Sequence, residues 1–143
     1  EIRERIAIGQ GPILVGAWHR AVIDALADEL SDLRVGVLDG RTSAAEKGRL
    51  QDSFNARELD VLIGQIAAMG VSLNLQHGGN RIVVVEEDWS PAVMDQFYAR
   101  LHRIGQTEHV HIDILDSADK LSQAVRRISS AKRSSHATAL GRA

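Results

Sequence analysis

Three side chains in the last third of the sequence have the types and the spacing to bind an anion. Gln96, Arg100 and Arg103 lie four and three residues apart, so a helix running through them would place all three on one face. Two guanidinium groups one turn apart repel each other, and a negative charge close to both offsets this repulsion. Planar guanidinium groups are suited to stabilising a phosphoryl group in transfer. The structural alternative is a solvated helix face paired with neighbours such as Asp95.

A second candidate anion site follows a buried apolar run over residues 60–65. Gly70, Ser72 and Asn74 come just after this run, in a stretch rich in glycine and asparagine. Backbone N–H groups and short polar side chains at such a place are able to hold a phosphate. A loop that satisfies its own backbone explains the same residues equally well.

The remaining polar and aromatic residues carry weaker signals. Trp89 is more typical of a packing anchor than of a base-stacking platform. His109 and His111 alternate along a predicted strand, but no third ligand is placed beside them, so no metal site is predicted. We expect His102 to make a structural hydrogen bond. We expect the acidic run at 86–88 to be solvated surface or to pair with the nearby arginines.

The elements that must position these residues alternate between strands and helices. Apolar runs predict strands, and apolar residues at helical spacing predict helices between them. The predicted strands cover residues 12–18, 34–40, 60–65, 81–87 and 110–115, and the predicted helices cover 19–32, 43–54, 91–104 and a stretch from 117. This alternation indicates an α/β domain with a mostly parallel sheet and helices on both faces. Ligands of such sheets bind beyond the carboxyl ends of the strands, where the unusual loops lie.

Local signals set two of the helix starts. Thr42 or Ser43 is expected to cap the helix that follows, with Glu46 as the capping-box partner three residues after Ser43. Ser90 is expected at the cap of the helix before the arginines, with Pro91 at its first position.

Length and composition narrow the class of protein. The 143 residues suit one domain with a real core, and 44% hydrophobic residues are ordinary for a globular protein. The sequence has no apolar run near the roughly 20 residues that a membrane span requires and no signal-peptide pattern, so we expect no membrane partner. The absence of cysteine excludes disulfides and thiolate metal sites, and fits a cytoplasmic protein.

Charge is distributed unevenly along the chain. Residues 1–116 carry 11 Lys/Arg and 18 Asp/Glu, a net charge of −7, whereas residues 117–143 carry six Lys/Arg and one Asp, a net charge of +5. The acidic body argues against broad nucleic-acid coating and leaves room for a local basic groove and a basic tail.

The order of these motifs resembles one protein family. "QFYARLHRIGQT" is similar to motif VI of the Swi/Snf-type DNA-dependent ATPases of helicase superfamily two, with the pattern Q-x-x-x-R-x-H-R-x-G-Q. "DWSP" resembles the family's D-W-N-P, and "AMGVSLNL" resembles its motif V, A-G-G-x-G-x-N-L. "LDGRTSAAEKGRLQDSF" and "ILVGAWHRAVIDAL" resemble its L-D-G-S-T-S segment and its motif IV. Met69 and Ser72 depart from the motif V pattern, since each stands where the family has glycine.

The resemblance covers about residues 12–116 and implies a RecA-like three-layer fold. It implies that this is the second, C-terminal motor lobe, because the phosphate loop G-x-x-x-x-G-K-[ST] and the D-E-x-H pair of the first lobe are absent from the sequence. We therefore expect a piece of a longer protein or a one-lobe protein. Residues 1–11 are expected to form a linker or short helix, and residues 117–143 a C-terminal helix that frays into a basic tail.

The resemblance also implies roles for single residues. Arg100 and Arg103 would act as arginine fingers toward ATP, with Gln96, Gly70 and Asn74 binding the nucleotide. DNA-backbone contacts would come from four residues near the loops, namely His19, Thr42, Ser43 and Ser72. ATP and Mg²⁺ would be held mainly by the N-terminal RecA-like lobe, in cis or in trans.

Two functions from different classes follow. The first is the second lobe of an ATP-dependent translocase or helicase on double-stranded DNA of any sequence, which as a lone chain does not hydrolyse ATP. The second is a non-catalytic DNA- or protein-binding adaptor that kept the lobe fold. The protein is expected in the cytoplasm of a bacterium or phage-infected cell, or in the nucleus of a eukaryote. Both arginines are expected to be exposed, so that replacing either should leave folding nearly unchanged.

Overall fold

The computed structural model describes residues 2–69, 73–87 and 90–115. The strands in these ranges are β1 (Ile13–Ala17), β2 (Val35–Leu38), β3 (Val61–Gln65), β4 (Arg81–Val84) and β5 (His111–Ile114). The helices are α1 (Ile2–Ala7), α2 (Arg20–Glu29), α3 (Ala44–Asn55) and α4 (Pro91–Tyr98), with a 3₁₀ turn over Ile66–Ala68. The expected C-terminal helix and basic tail fall at 117–143, outside the described residues.

The five strands form one sheet in the order β2-β3-β1-β4-β5, and every pairing is parallel. All five residues of β1, the central strand, are buried, as its continuous apolar run predicts. Because the strands are parallel, their carboxyl ends meet at one edge of the sheet, and the loops that carry the candidate site emerge there.

Alternation along the strands divides the core into two layers. On one face Leu14, Leu62 and Ile82 pack in a cluster that includes residues of α3 and α4. On the other face Ile13 and Val15 pack with residues of α1 and α2. Helices therefore cover both faces of the sheet, and the predicted three-layer α/β fold is confirmed.

The helix that precedes the arginines ends earlier than its sequence predicts. A helix through residue 104 is wrong, because α4 stops at Tyr98 and Ala99 is its C-cap. The Arg100 carbonyl accepts a hydrogen bond from the Leu75 N–H at 3.0 Å, and the Arg100 N–H donates to the Phe97 carbonyl three residues back. This contact with a distant segment competes with helix continuation, and no local residue signals it.

The predicted caps are present. Ser43 Oγ accepts from the Glu46 N–H at 3.2 Å and begins α3, while the Glu46 carboxylate contacts Arg49 instead of closing the box. Ser90 Oγ accepts from the Val93 N–H, and Pro91 occupies the first turn of α4. Of the helices in the described ranges, none has the length and apolar character to cross a bilayer.

Candidate functional site

Arg100 lies in the turn after α4 and is buried, with 4% of its surface exposed. Its Nε donates to the Gln96 carbonyl at 3.0 Å and its Nη1 to the Leu73 carbonyl at 3.1 Å. The expectation that this arginine is exposed is wrong. The early end of α4 turns its side chain back over the last helical turn and against the Leu73 backbone.

Arg103 remains exposed and approaches the same acceptor. Its Nη1 lies 3.4 Å from the Leu73 carbonyl, so the two guanidinium groups converge on one oxygen. The structure thus brings the two arginines together through a turn and not along one helix face. Gln96, on the last turns of α4, keeps its side chain on the exposed surface.

The electrostatic setting of Arg100 is unfavourable to its charge. Burial, and secondarily the positive charge of Arg103, lower the pKa of the Arg100 guanidinium from its ordinary value. A guanidinium still stays protonated at neutral pH. In the described part of the chain, the hydrogen-bond acceptors of Arg100 are neutral carbonyl oxygens, and no carboxylate compensates its charge.

A pocket of about 200 Å³ opens beside Arg100 at the carboxyl edge of the sheet. Its walls are mostly apolar, and its polar groups come from the end of α4. The lining residues are Trp18, Ile66, Ala67, Met69, Val93, Gln96, Phe97 and Arg100. An apolar cleft with a single uncompensated cation is suited to an anionic group carried on a larger ligand.

Asn74 is fixed through both of its backbone groups. Its N–H donates to Gln51 Oε1 at 2.8 Å, and its carbonyl accepts from Asn55 Nδ2 at 2.8 Å. Asn74 directly follows Leu73, the residue whose carbonyl both arginines contact. Gly70 and Ser72, the other members of this predicted site, lie outside the described residues.

Thr42 and Ser43 use their hydroxyl oxygens within the turn before α3. Thr42 Oγ1 accepts from the Asp39 N–H at 3.0 Å, and Ser43 Oγ caps the helix. Each hydroxyl hydrogen remains able to donate to a further acceptor. The turn itself is held by the buried Asp39 carboxylate, which binds the Arg41 N–H at 2.8 Å and its guanidinium at 2.5 Å.

His19 makes a side-chain contact that its sequence neighbourhood does not signal. His19 Nδ1 lies 2.7 Å from Glu86 Oε2, and Glu86 Oε1 accepts from the backbone N–H groups of Trp18 and His19 at 3.2 and 3.0 Å. Glu86 is 4% exposed. The prediction of a solvated or arginine-paired acidic run is wrong at this position, because Glu86 joins the end of β4 to the loop after β1.

The weaker sequence signals concern two histidines and a tryptophan. The rings of His109 and His111 meet edge to face, with centroids 5.1 Å apart. No group of three or more metal-ligating side chains is present in the described ranges. Trp89 lies outside those ranges.

The fold and the site define a class: a parallel RecA-like sheet with a buried arginine after its fourth strand. The model of the helicase conserved C-terminal domain matches residues 6–105. The chain belongs to this family and is the C-terminal RecA-like lobe of a Swi/Snf-type helicase of superfamily two.

Individual relatives agree with this assignment. The chain is 34% identical over 117 residues to the SWI/SNF-related matrix-associated actin-dependent regulator of chromatin subfamily A-like protein 1 of Xenopus tropicalis, covering 80% of this chain and 12% of that protein. It is 30% identical to the human lymphoid-specific helicase, covering 85% of this chain and 15% of that protein. The chain therefore spans less than a sixth of the length of either relative.

A solved structure shares the fold. The crystal structure of the C-terminal part of the Fun30 ATPase domain superposes with a TM-score of 0.72 at 27% identity. The match covers 85% of this chain and 40% of that chain.

Proposed function

We propose that this chain is the second motor lobe of an ATP-driven translocase on double-stranded DNA. The observation that carries the proposal is the buried Arg100, a charged group held by neutral carbonyls beside a pocket at the carboxyl edge of the sheet. Removing an ion from water costs several kcal/mol, at the order of magnitude, unless an opposite charge compensates it. An anionic ligand bound in that pocket supplies the compensation.

The anion in this proposal is the γ-phosphate of ATP bound to the N-terminal lobe. Arg100 offers a rigid planar fork from a fixed position, and the exposed Arg103 reaches the same point from the next turn. As the two lobes close, both guanidinium groups exchange the Leu73 carbonyl for phosphate oxygens. Their charge then stabilises the transferring phosphoryl group.

The rest of the nucleotide site is assigned to the other lobe. Within the described residues no group of three or more metal-ligating side chains is present. Mg²⁺ is proposed to be held mainly by the N-terminal lobe. Gln96, Gly70 and Asn74 are proposed to face the nucleotide from this side.

DNA is proposed to lie along the loops at the same edge of the sheet. Thr42 and Ser43 have hydroxyl hydrogens able to donate to phosphate oxygens, and His19 is held in place by Glu86. Ser72 is proposed to join them. Contacts to the phosphate backbone fix the position of the protein on DNA without reading the bases, so the proposed binding does not depend on base sequence.

The test is ATP hydrolysis by this lobe alone and by a fusion to the N-terminal lobe of a Swi/Snf-type relative. We expect DNA-stimulated phosphate release from the fusion and none from the lone chain. Arg100→Lys and Arg103→Lys should each slow the fusion by about 10³-fold. Arg34→Lys is the matched control, because Arg34 lies at the opposite edge of the sheet and pairs with Asp60.

Each alternative result has a definite meaning. Turnover by the lone chain would contradict the two-lobe site. Normal hydrolysis by both site variants would contradict the finger assignment. A fusion that binds DNA but never hydrolyses ATP would favour the non-catalytic adaptor.

A further inference from the structure

Glu86 is a buried carboxylate that contacts the loop after β1 through both of its oxygens. Oε1 accepts hydrogen bonds from the backbone N–H groups of Trp18 and His19, and Oε2 lies 2.7 Å from His19 Nδ1. The side chain of Glu86 is 1% exposed and that of His19 is 12% exposed. An ionised carboxylate only accepts hydrogen bonds, so we assign the proton of the ring contact to Nδ1.

The second ring nitrogen of His19, Nε2, is available to a ligand. It makes no hydrogen bond to any of the described residues, and it is not among their buried polar atoms that lack a partner. In a neutral ring protonated at Nδ1, Nε2 carries a lone pair and can only accept, which gives a phosphate oxygen nothing to bind. A proton added at Nε2 gives an imidazolium with one N–H toward the carboxylate and one pointing away from it.

Within the described residues, Glu86 is the charged group in hydrogen-bond contact with the imidazole. The guanidinium of Arg20, the next residue after the histidine, extends to the turn after β2, where its Nη2 would lie 3.8 Å from a Cβ added at Gly40. Glu87 is exposed and lies on the side of Tyr98, whose pKa is raised by burial and secondarily by the Glu87 charge. The negative charge that acts directly on the ring is therefore that of Glu86.

We propose that Glu86 is a positioning residue that turns His19 Nε2 outward and holds the ring as an imidazolium against a phosphate of the DNA backbone. The inference rests on the proposed function, in which His19 contacts DNA. The two N–H groups of the ring then donate to two anions, the buried carboxylate and the phosphate, and both compensate the charge of the cation. The proton at Nε2 comes from solvent, so this contact forms together with the uptake of one proton.

Glu86→Gln tests the assignment because it keeps the shape of the side chain and exchanges an acceptor for a donor at one atom. The amide oxygen must remain where Oε1 is, since it has to accept from the two backbone N–H groups. The NH₂ group then takes the place of Oε2 and donates to Nδ1. The neutral ring is consequently protonated at Nε2 and offers a donor to phosphate without taking up a proton.

Two measurements on the full chain read the ring and its contact separately. NMR spectra of the imidazole nitrogens at pH 8 report which nitrogen carries the proton. Titration of a short duplex at low salt, at pH 8 and at pH 6, reports how far DNA affinity depends on proton uptake. His19→Gln removes the ring, and His77→Gln is the matched control, because His77 is exposed in the loop before β4, at the opposite edge of the sheet.

For the wild-type chain we expect the proton at Nδ1 and a DNA affinity that rises about threefold or more from pH 8 to pH 6, as uptake of a proton by a histidine requires. Glu86→Gln should carry the proton at Nε2 and lose this rise. His19→Gln should lose the rise as well, whereas His77→Gln should keep it.

A wild-type ring protonated at Nε2, or a pH response that is equal in the wild type and in His19→Gln, would overturn the inference. If thermal melts show that Glu86→Gln is unfolded, the comparison of the wild type with His19→Gln and His77→Gln still decides the question. A wild-type chain that binds no duplex at either pH would overturn the proposed function as well, while the ring spectra would still show whether Glu86 directs the proton to Nδ1.

Discussion

Arg100 and Arg103 donate to the same carbonyl oxygen from very different surroundings. Arg100 is buried and makes two hydrogen bonds to neutral acceptors, whereas Arg103 is exposed to solvent and makes one long contact. Identical substitutions at the two positions should therefore have unequal effects on the stability of the lobe, even though both arginines are proposed to serve one reaction.

Replacement by lysine should change the free energy of unfolding of the lone chain differently at positions 100 and 103. A lysine at 100 has one nitrogen on a flexible stem, so it cannot bind the Gln96 and Leu73 carbonyls in the geometry of the fork. We expect Arg100→Lys to lower the free energy of unfolding by about 1–3 kcal/mol. Arg103→Lys should change it by less than about 0.5 kcal/mol, as is usual for exposed residues. Urea unfolding measures both, and equal losses would contradict the assigned burial.

The motif around these arginines is readable from the sequence, but the burial of Arg100 is not. Gln96 and the two arginines have the types and spacing of a site, which follow from the sequence itself. The backbone turn that buries Arg100 depends on the Leu75 N–H and the Leu73 carbonyl, both about 25 residues away. No local propensity encodes a contact at that separation.

The ionisation of Asp39 is expected to make the stability of the lobe depend on pH in the acid range. Its hydrogen bonds with the Arg41 side chain hold the pKa of the Asp39 carboxyl below its ordinary value of 3.8. A carboxylate with a lowered pKa stabilises the fold at pH values above its unfolded-state pKa, and this contribution is lost as pH falls through the folded-state pKa. We expect Asp39→Asn to lower stability at pH 7 and to weaken the decline below about pH 4. Urea unfolding between pH 7 and pH 3 checks this, and parallel curves for both proteins would contradict it.

Two glycines let α4 and the 3₁₀ turn approach the sheet closely. Gly16 of β1 and Gly64 of β3 are register partners on adjacent strands. A Cβ added at Gly16 would lie 2.6 Å from Phe97 Cζ, and one at Gly64 would lie 2.5 Å from the Met69 sulfur. The apolar runs of the sequence predict the two strands. That residues 16 and 64 must be glycine follows only from the packing of α4 and the 3₁₀ turn against the sheet.

The two glycine positions should tolerate alanine unequally. Phe97 is a rigid ring that is almost fully buried, so it cannot move away from a new methyl group at residue 16. Met69 is flexible and can take another rotamer. We expect Gly16→Ala to destabilise the lobe by about 1–3 kcal/mol and Gly64→Ala by less, as measured by thermal and urea unfolding. A larger loss at Gly64 would indicate that the Met69 side chain is the more constrained of the two.

The candidate functional residues of the lobe lie at one edge of the sheet. The loops after β1, β2, β3 and β4 all emerge there, since the strands are parallel and share one direction. Alternation of strands and helices predicts this edge from the sequence. Strand order, and with it the pairing of His19 with Glu86 across β1 and β4, requires the assembled sheet.

Charge over the whole chain determines how the lobe should bind DNA. Residues 1–116 have a net charge of −7, and residues 117–143 have a net charge of +5. The body repels the DNA backbone except at local donors, so the basic C-terminal stretch is proposed to supply much of the electrostatic attraction. DNA binding by the lone lobe should therefore be weak, and its affinity should depend on the positive charge of residues 117–143.

The salt dependence of DNA binding tests this division of charge. Each phosphate neutralised by a lysine or arginine releases counterions, and two such contacts weaken binding about tenfold between 50 and 200 mM salt. We expect at least this decrease for the wild-type chain, with equal affinity for two duplexes of unrelated sequence.

Replacing Arg126 and Arg127 with glutamine should reduce the slope of log affinity against log salt by about one per arginine. Replacing Arg34 and Arg57 with glutamine changes the net charge equally at positions outside the proposed contacts, and should leave the slope unchanged. A marked preference for one duplex, or equal slopes for the two double variants, would show that binding does not depend on backbone contacts from this stretch.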